Sequence, residues 1–431
     1  MKQHEMQVIQ ENPQKVERAF MVGLQYPDTA PERVEELLTE LQELIGTLDI
    51  AVTGSLTAKI MRPQPRYLIG SGKAQEIIDA AREAEADVIV FDDALSPSQQ
   101  RNWEKLAGVA VIDRQEIILD IFGHRAHTKE AELQISLARE EYDLPRLKRL
   151  WTHLSRQRGG NTGTRGEGEQ QIEVDARLVQ QRIAKLRKQL AEVRLKREVQ
   201  RKKRMKKPIP NAAIVGYTNA GKSSLLNTLT GASVLAEDKL FATLDPTIRR
   251  VVLPNQQELL LSDTVGFIRK LPHSLIEAFK ATLEEAALAD FIIEVIDVTS
   301  PQIDEHHRTT TEVLAELGAE QKFVITVFNK VDLVEDSYLI PRLRKRFGRP
   351  LFVSAATGEG METLQQRLAD ELDRSLHLVE LLIPHDRYDL VALLHRTSNV
   401  LAESSDENGI VIKASVPSTA LKAVQAYTLV T

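Results

Sequence analysis

Hydrophobic residues change their spacing along this chain, and the changes divide it into stretches of different structure. Up to about residue 125, apolar runs at 19–24 (AFMVGL), 50–54 (IAVTG), 87–92 (DVIVFD) and 109–113 (VAVID) alternate with helix-spaced segments near 31–46, 73–85 and 96–107. Short apolar runs bounded by polar turns predict strands, and their alternation with helices predicts an α/β domain. The spacing then turns helical. Ala131, Ile135, Ala138 and Tyr142 repeat at 4-3-4, and Leu147, Trp151 and Leu154 continue the stripe beyond Pro145. Proline lacks a donor and crowds the preceding turn, so Pro145 predicts a kink or a break. Farther on, Ile172, Ala176, Val179, Ile183, Leu186, Leu190 and Val193 stand alternately 4 and 3 apart, a heptad seam that predicts a long helix facing a partner. Between the two lies RQRGGNTGTRGEGE (156–169), and the simplest arrangement is an antiparallel helical hairpin with this segment as its tip. Strand-like HLVELLIP and GIVIKASV (409–416), with helices near 387–402 and 418–427, predict a small α/β tail.

The stretch between hairpin and tail carries the most specific chemistry. GYTNAGKSS, from Gly216 to Ser224, follows the apolar strand AAIV (212–215) and opens the helical SLLNTL (224–229). It fits G-x-x-x-x-G-K-[ST] in the strand–loop–helix setting that separates a phosphate loop from a chance match. Backbone N–H groups of Gly216, Tyr217, Thr218, Asn219, Ala220 and Gly221 would turn inward around phosphates at the positive end of the helix. Lys222 would reach the β- and γ-phosphates, and Ser223, followed by Ser224, would offer its hydroxyl to Mg²⁺. The base is read farther along, in FNKVDL (328–333) after the strand FVITVF. A carboxylate at Asp332 accepts from both N1–H and the 2-amino group of guanine; adenine lacks that donor pair and would leave it unpaired. Asn329 and Lys330 would hold the loop and cover the base. SAATGEG, after the strand LFV (351–353), places Ser354, Ala355 and Ala356 beside it. In this order behind a phosphate loop, the elements specify GTP.

Two switch elements lie between. LLLSDTVGF (259–267) is a strand ending in D-x-x-G, so Asp263 would hold Mg²⁺ through water and the Gly266 N–H would meet the γ-phosphate. FATLDPT (241–247) offers two threonines for the first switch. Thr243 is favoured as the Mg²⁺ ligand because F-x-T-L-x-P resembles the switch of Obg-like GTPases; Thr247 is the alternative. Lys222, Thr243 and Gly266 are thus the candidate catalytic residues. Phe267 stands where Ras-type enzymes carry the glutamine that orients water, and a phenyl ring neither donates nor accepts. Slow hydrolysis in the absence of a completing group or partner is the expectation. Asn219, with a hydrophobic residue after D-x-x-G, resembles GTPases that place K⁺ beside the phosphates; the plain alternative is an asparagine that stabilises the turn.

Composition narrows the setting. The chain has 431 residues, enough for two to four domains, and no cysteine, which excludes disulfides and suits a reducing cytoplasm. It has no apolar run of the ~18 residues that a membrane span requires, and neither MKQHEMQVIQ nor TLVT is a targeting or lipidation signal. A soluble, cytoplasmic protein without a membrane partner is expected. Charge is uneven: Arg177 to Lys207 hold 14 Lys/Arg against 2 acids, a local +12 that leaves about −18 on the rest of a chain of net −6. A basic concentration on an otherwise acidic chain is the footprint of polyanion binding. Arg156, Arg158 and Arg165 on the Gly-rich tip suit irregular RNA, where guanidinium groups pair with phosphates and stack on bases. IGSGKAQEI (69–77) reads as a tight turn rather than a second nucleotide loop.

Taken together, the chain resembles the HflX family of ribosome-associated GTPases over nearly its whole length. The resemblance rests on YLIGSGKAQEI, FDDALSPSQQRNWEK, HRAHTKEAELQISLAREEYDLPRL and GGNTGTRGEGEQQIEVDARLV, besides the nucleotide motifs. It departs at Glu167, where many members carry proline. The patterns above divide the chain into four expected domains: an N-terminal α/β domain (1–125), the antiparallel helical hairpin (126–207), a P-loop G domain of mostly parallel sheet with helices on both faces (208–374), and a small C-terminal α/β domain (375–431). The resemblance adds function. It implies GTP hydrolysis with Mg²⁺, binding to the large ribosomal subunit and its RNA, and the splitting or rescue of stalled ribosomes. ATP-linked RNA remodelling by the N-terminal region belongs to the same implication. A monomer with no DNA partner is expected. A tRNA-modifying GTPase would share Asn219 and Phe267, but that type ends in a cysteine box. A non-catalytic RNA-binding module would not need Lys222, Ser223, Asp263 and Gly266.

Overall fold

A computed structural model describes residues 16–150, 167–204, 209–231, 240–241, 247–269, 285–374 and 376–429. Thr243 of the first switch, Arg156, Arg158 and Arg165 of the glycine-rich tip, and Trp151 and Leu154 lie outside the described residues. The chain forms two compact units, Met1–His124 with Ile135–Lys185, and Arg125–Gln134 with Leu186–Thr431.

In the first unit, strands β1 (Arg18–Gln25), β2 (Ala51–Lys59), β3 (Val88–Phe91) and β4 (Ala110–Asp113) make one parallel sheet in the order β2-β1-β3-β4. Helices Pro31–Thr47, Ser71–Glu83 and Pro97–Ala107 connect them. The last is punctuated by its own sequence. Ser96 and Gln99 form a capping box, Pro97 fills the first turn, and Gly108 at φ 74° closes the helix. Trp103 is fully buried against Phe91 and Tyr67 and donates its indole N–H to the Tyr67 carbonyl at 2.9 Å. β2 runs past the expected residue 54 to Lys59, and a helix not anticipated from the sequence, Arg114–Arg125, follows β4 without a loop. Arg114 at that junction is buried between Asp92 (2.8 Å) and Glu40 (3.1 Å).

Helix Lys129–Leu150 passes through Pro145 without interruption, so the expected break is absent. The residues beside the proline account for this, because they are fastened to the end of the sheet. Tyr142 donates its hydroxyl to Asp113 (3.0 Å) and Glu116 (3.2 Å). Arg146 reaches Gln100 (2.8 Å), the Leu95 carbonyl (3.2 Å) and Asp113 (3.4 Å), with its guanidinium 3.3 Å over the Tyr142 ring. Burial raises both the Asp113 and Glu116 carboxyls above the usual carboxylate range. Helix Glu167–Arg204 buries Val179, Ile183 and Leu190 of the heptad seam, while Arg177, Arg182, Lys185, Arg187 and Lys188 are exposed. Arg182 meets Glu140 of the first helix at 3.5 Å.

In the second unit a six-stranded sheet runs β10-β9-β8-β5-β7-β6. Its strands are β5 (Asn211–Gly216), β6 (Thr247–Val252), β7 (Glu258–Asp263), β8 (Phe291–Asp297), β9 (Val324–Asn329) and β10 (Leu351–Phe352), parallel except for edge strand β6. Alternate side chains feed two cores. Ile293, Val295 and Val327 pack with Leu225 and Leu364 of helices Lys222–Thr230 and Met361–Arg374. Ile296 and Phe328 pack with Ile303 and Leu343 of helices Ile303–Glu316 and Leu339–Arg346. Helices therefore cover both faces, which leaves the loops at the carboxyl ends of the strands as the open edge.

The tail is an antiparallel sheet, β11 (Leu376–Ile383), β13 (Gly409–Pro417) and β12 (Asn399–Asp406), in that order, with helices Tyr388–Thr397 and Ser418–Val424. The helix expected to reach 402 ends at Thr397, and residues 399–406 are strand. Ser398 is already extended at φ −134°, and the Asp406 carboxylate accepts from the Asn408 and Gly409 N–H groups to make the hairpin turn. That turn pairs NVLAESSD with β13 and overrides its helical spacing.

Tyr142→Phe removes the donor shared by buried Asp113 and half-buried Glu116, while Asp113 keeps the Leu95 and Glu116 N–H groups. We expect a loss of about 0.5–1.5 kcal/mol for one hydrogen bond, read as a lower urea midpoint for the first unit, with GDP affinity unchanged.

Candidate nucleotide-binding site

β5 delivers Gly216 at φ 146°, where a side chain is excluded because a Cβ would lie 2.1 Å from the Val295 carbonyl oxygen on β8. The loop then turns through Asn219 at φ 59°, exposed at its crest, a left-handed position that asparagine tolerates better than most residues. Gly221 at φ 87° precedes helix Lys222–Thr230, and a Cβ there would come within 2.1 Å of Asn329 Nδ2. Lys222 is buried with Nζ on the Tyr217 carbonyl at 2.7 Å, and burial lowers its ammonium to about 8 despite the opposing pull of Asp263. A polyanion entering the loop would favour the charged form further.

The D-x-x-G segment lies directly on this loop. The Phe267 N–H donates to Gly216 O (3.0 Å), and the Thr218 N–H donates to Phe267 O (2.8 Å). Gly266 sits so close that a Cβ would meet Thr218 Cγ2 at 2.8 Å and Lys222 Nζ at 2.9 Å. Phe267 is 3 % exposed, so its ring anchors the segment in the interior and presents nothing to a ligand. Ser223 Oγ donates to Asp263 Oδ2 at 2.7 Å. A hydroxyl and a carboxylate side by side are hard oxygen donors of the kind Mg²⁺ takes. With Mg²⁺ bound, Ser223 would ligate directly and Asp263 through water, and the ion would neutralise phosphate charge. Thr247 opens β6 opposite Asp263 in the strand register. The Thr218 hydroxyl is buried without a hydrogen-bond partner among the described residues, a state that costs about 1–3 kcal/mol.

The candidate base-reading loops join the phosphate loop through one side chain. Asn329, 2 % exposed at the end of β9, donates Nδ2–H to Ala220 O (2.9 Å) and accepts at Oδ1 from the Ala355 N–H (3.0 Å). Lys330 at φ 67° pairs with Asp297 at 2.7 Å, and Asp332 stands exposed in the turn Val331–Leu333. Ser354 is buried and holds its own loop by accepting from the Thr357 N–H at 3.0 Å. Ala355 is half-buried, Ala356 is exposed, and the Ala355 carbonyl accepts from Thr228 at 2.9 Å; Thr228 also donates to Ser224 O.

A cluster beside the site was missed from sequence. Tyr217 stacks on His306 (centroids 3.8 Å apart, planes 9° apart) and its hydroxyl accepts from the backbone and Nε hydrogens of Arg269. Arg269 is buried and paired with Glu305 (3.2 Å) and Gln302 (2.6 Å). Tyr217 belongs to the phosphate loop, but Arg269, Gln302, Glu305 and His306 form no motif with it, the nearest being 52 residues from Tyr217.

The chain has relatives over most of its length. Residues 35–123, 125–204 and 211–330 match, in turn, models described as GTP-binding GTPase N-terminal, GTP-binding GTPase Middle Region and 50S ribosome-binding GTPase. A GTPase HflX of Akkermansia muciniphila is 46 % identical over 420 residues, 95 % of this chain and 96 % of the relative. The chain belongs to the HflX family of GTPases. The Escherichia coli K12 GTPase HflX is 40 % identical over 398 residues, 92 % of each chain. Among solved structures, a GTP-binding protein from Sulfolobus solfataricus in complex with GDP is 27 % identical and covers 82 % of this chain and 98 % of its own, with a TM-score of 0.44. HflX membership agrees with the multidomain α/β architecture, and among the described residues no helix is long and apolar enough to cross a membrane.

Two substitutions test the geometry. Asp332→Asn should weaken GTP binding at least tenfold and favour xanthosine triphosphate, whose 2-carbonyl accepts where guanine donates; titration with labelled nucleotides reads this. Gly221→Ala should abolish measurable GDP binding through the clash with Asn329, while circular dichroism stays unchanged.

Proposed function

We propose that this HflX protein binds and hydrolyses GTP, associates with the ribosome at its large subunit, and splits or rescues stalled ribosomes. The supporting observation is the exposed basic side of helix Glu167–Arg204, where Arg177, Lys185 and Lys188 lie opposite buried Val179, Ile183 and Leu190. Long cationic side chains on a helix anchored by its apolar seam suit the phosphates of folded RNA. The four-domain division at 125, 207 and 374 is part of the same reading. The hairpin, with Arg156, Arg158 and Arg165 at its tip, contacts ribosomal RNA, and the G domain binds Mg²⁺·GTP through Ser223 and Asp263, with Thr243 or Thr247 as the switch ligand. Asn219 places K⁺ beside the phosphates. The protein acts as a cytoplasmic monomer.

With Phe267 turned inward, no side chain after D-x-x-G orients water, so hydrolysis is slow until a partner completes the site. Turnover should therefore rise at least tenfold when large subunits are added, whereas a fast rate indifferent to subunits would refute this reading. Replacing Arg156, Arg158 and Arg165 with alanine should weaken co-sedimentation with large subunits and leave GDP affinity unchanged. The log–log salt slope should flatten by ~0.7–0.9 per lost phosphate contact. Wild-type binding with an unchanged slope would place the RNA contact elsewhere.

A further inference from the structure

We infer that the Thr218 hydroxyl takes part in GTP hydrolysis by holding the attacking water against the γ-phosphate. The inference rests on the chain hydrolysing GTP and names the group that assists that reaction from inside the phosphate loop. Polar side chains around Thr218 are engaged: Lys222 on Tyr217 O, Ser223 on Asp263, Thr264 on Ile214 O and the Tyr217 hydroxyl on Arg269. The Thr218 hydroxyl is shielded from solvent and has no partner among the described residues. A hydroxyl kept without a partner in a ligand-binding loop is a group reserved for the ligand or its water.

Its position says which part of the ligand. Thr218 Cα and Cγ2 and Lys222 Nζ all crowd the face of Gly266, each within 3 Å of where a Cβ on that glycine would lie. The Lys222 ammonium and the Gly266 N–H are the groups that take the γ-phosphate in this loop type. The hydroxyl shares its Cβ with that methyl and so lies beside the Gly266–Lys222 contact, at the γ-phosphate end of the loop. The Thr218 N–H, expected to turn toward the phosphates, is instead used by Phe267 O, which fixes the residue on the D-x-x-G segment. Phe267, the residue that could otherwise have carried a polar group here, is buried.

A threonine hydroxyl has one donor and two acceptor positions. It can accept from the water while donating to a γ-phosphate oxygen, which aligns the water in line with the bond to be broken. Water oxygen then bonds to the γ-phosphorus as the bond from that phosphorus to the bridging β-phosphate oxygen breaks. The water proton ends on the released phosphate, and GDP leaves with the bridging oxygen. Thr218 gains and loses nothing in the cycle; it positions.

Thr218→Val keeps the shape and removes the hydroxyl, and Thr218→Ser keeps the hydroxyl and removes the methyl. Single-turnover hydrolysis of GTP and the Kd for GDP are measured for both in the full-length protein. The valine variant should hydrolyse at least tenfold more slowly with GDP affinity within twofold of wild type, and its melting temperature should not fall, because no native hydrogen bond is lost. The serine variant should stay within about threefold of the wild-type rate. The inference is overturned if valine hydrolyses at the wild-type rate, if serine falls as far as valine, or if the valine variant loses GDP affinity in proportion to its rate. A wild-type protein that binds GDP but leaves GTP intact would overturn the hydrolytic reading itself, an outcome separate from these three.

Discussion

The nucleotide site depends on one carboxamide. Asn329 stands at the end of β9, buried, with its donor on the phosphate loop at Ala220 and its acceptor on the base loop at Ala355. Its orientation is set by chemistry, since a carbonyl lies on one side and an N–H on the other. Remove either contact and a buried polar group is left unsatisfied in a place water does not reach. The same side chain explains Gly221, whose missing Cβ is the space that Asn329 Nδ2 occupies. The candidate phosphate and base loops are therefore tied together through one side chain, although 109 residues separate Ala220 from Asn329.

Topology supplies the rest. Parallel strands β5, β7, β8 and β9 end at one edge, so the phosphate loop, D-x-x-G and N-K-x-D emerge side by side. Two backbone hydrogen bonds fasten Phe267 to Gly216 and Thr218, and the buried Phe267 ring and Tyr217–Arg269–Glu305 contacts hold the segment from below. That fastening brings Gly266 against Lys222, so a γ-phosphate would be felt at once by loop and switch. In the first unit, a different polar cluster does comparable work. Tyr142 and Arg146 seat helix Lys129–Leu150 on the end of β4 through Asp113.

Much of this was legible in the sequence, for physical reasons. Residues 212–224 and 328–332 carry their signal in local sequence: glycines at a strand–helix turn, a lysine at a helix start, a carboxylate in a tight turn. The heptad seam was legible because Val179, Ile183 and Leu190 repeat at the period of a helix. Contacts made across the chain were not legible. Asn399–Asp406 follows a helical stripe closely enough to read as its continuation, and only pairing with β13 makes it a strand. Pro145 reads as a helix breaker until Tyr142 and Arg146 are seen fastened on either side. Arg269 and His306 belong to no spacing pattern, and nothing in the spacing signals the buried state of the Thr218 hydroxyl.

The central claim, that Asn329 makes the phosphate and base loops one unit, is tested most directly by the GDP affinity of Asn329→Asp, measured by calorimetry. The substitution keeps the acceptor for Ala355 but sets a carboxylate against the Ala220 carbonyl, so the account predicts a Kd raised at least tenfold with secondary structure unchanged. A variant that binds GDP with wild-type affinity would contradict it.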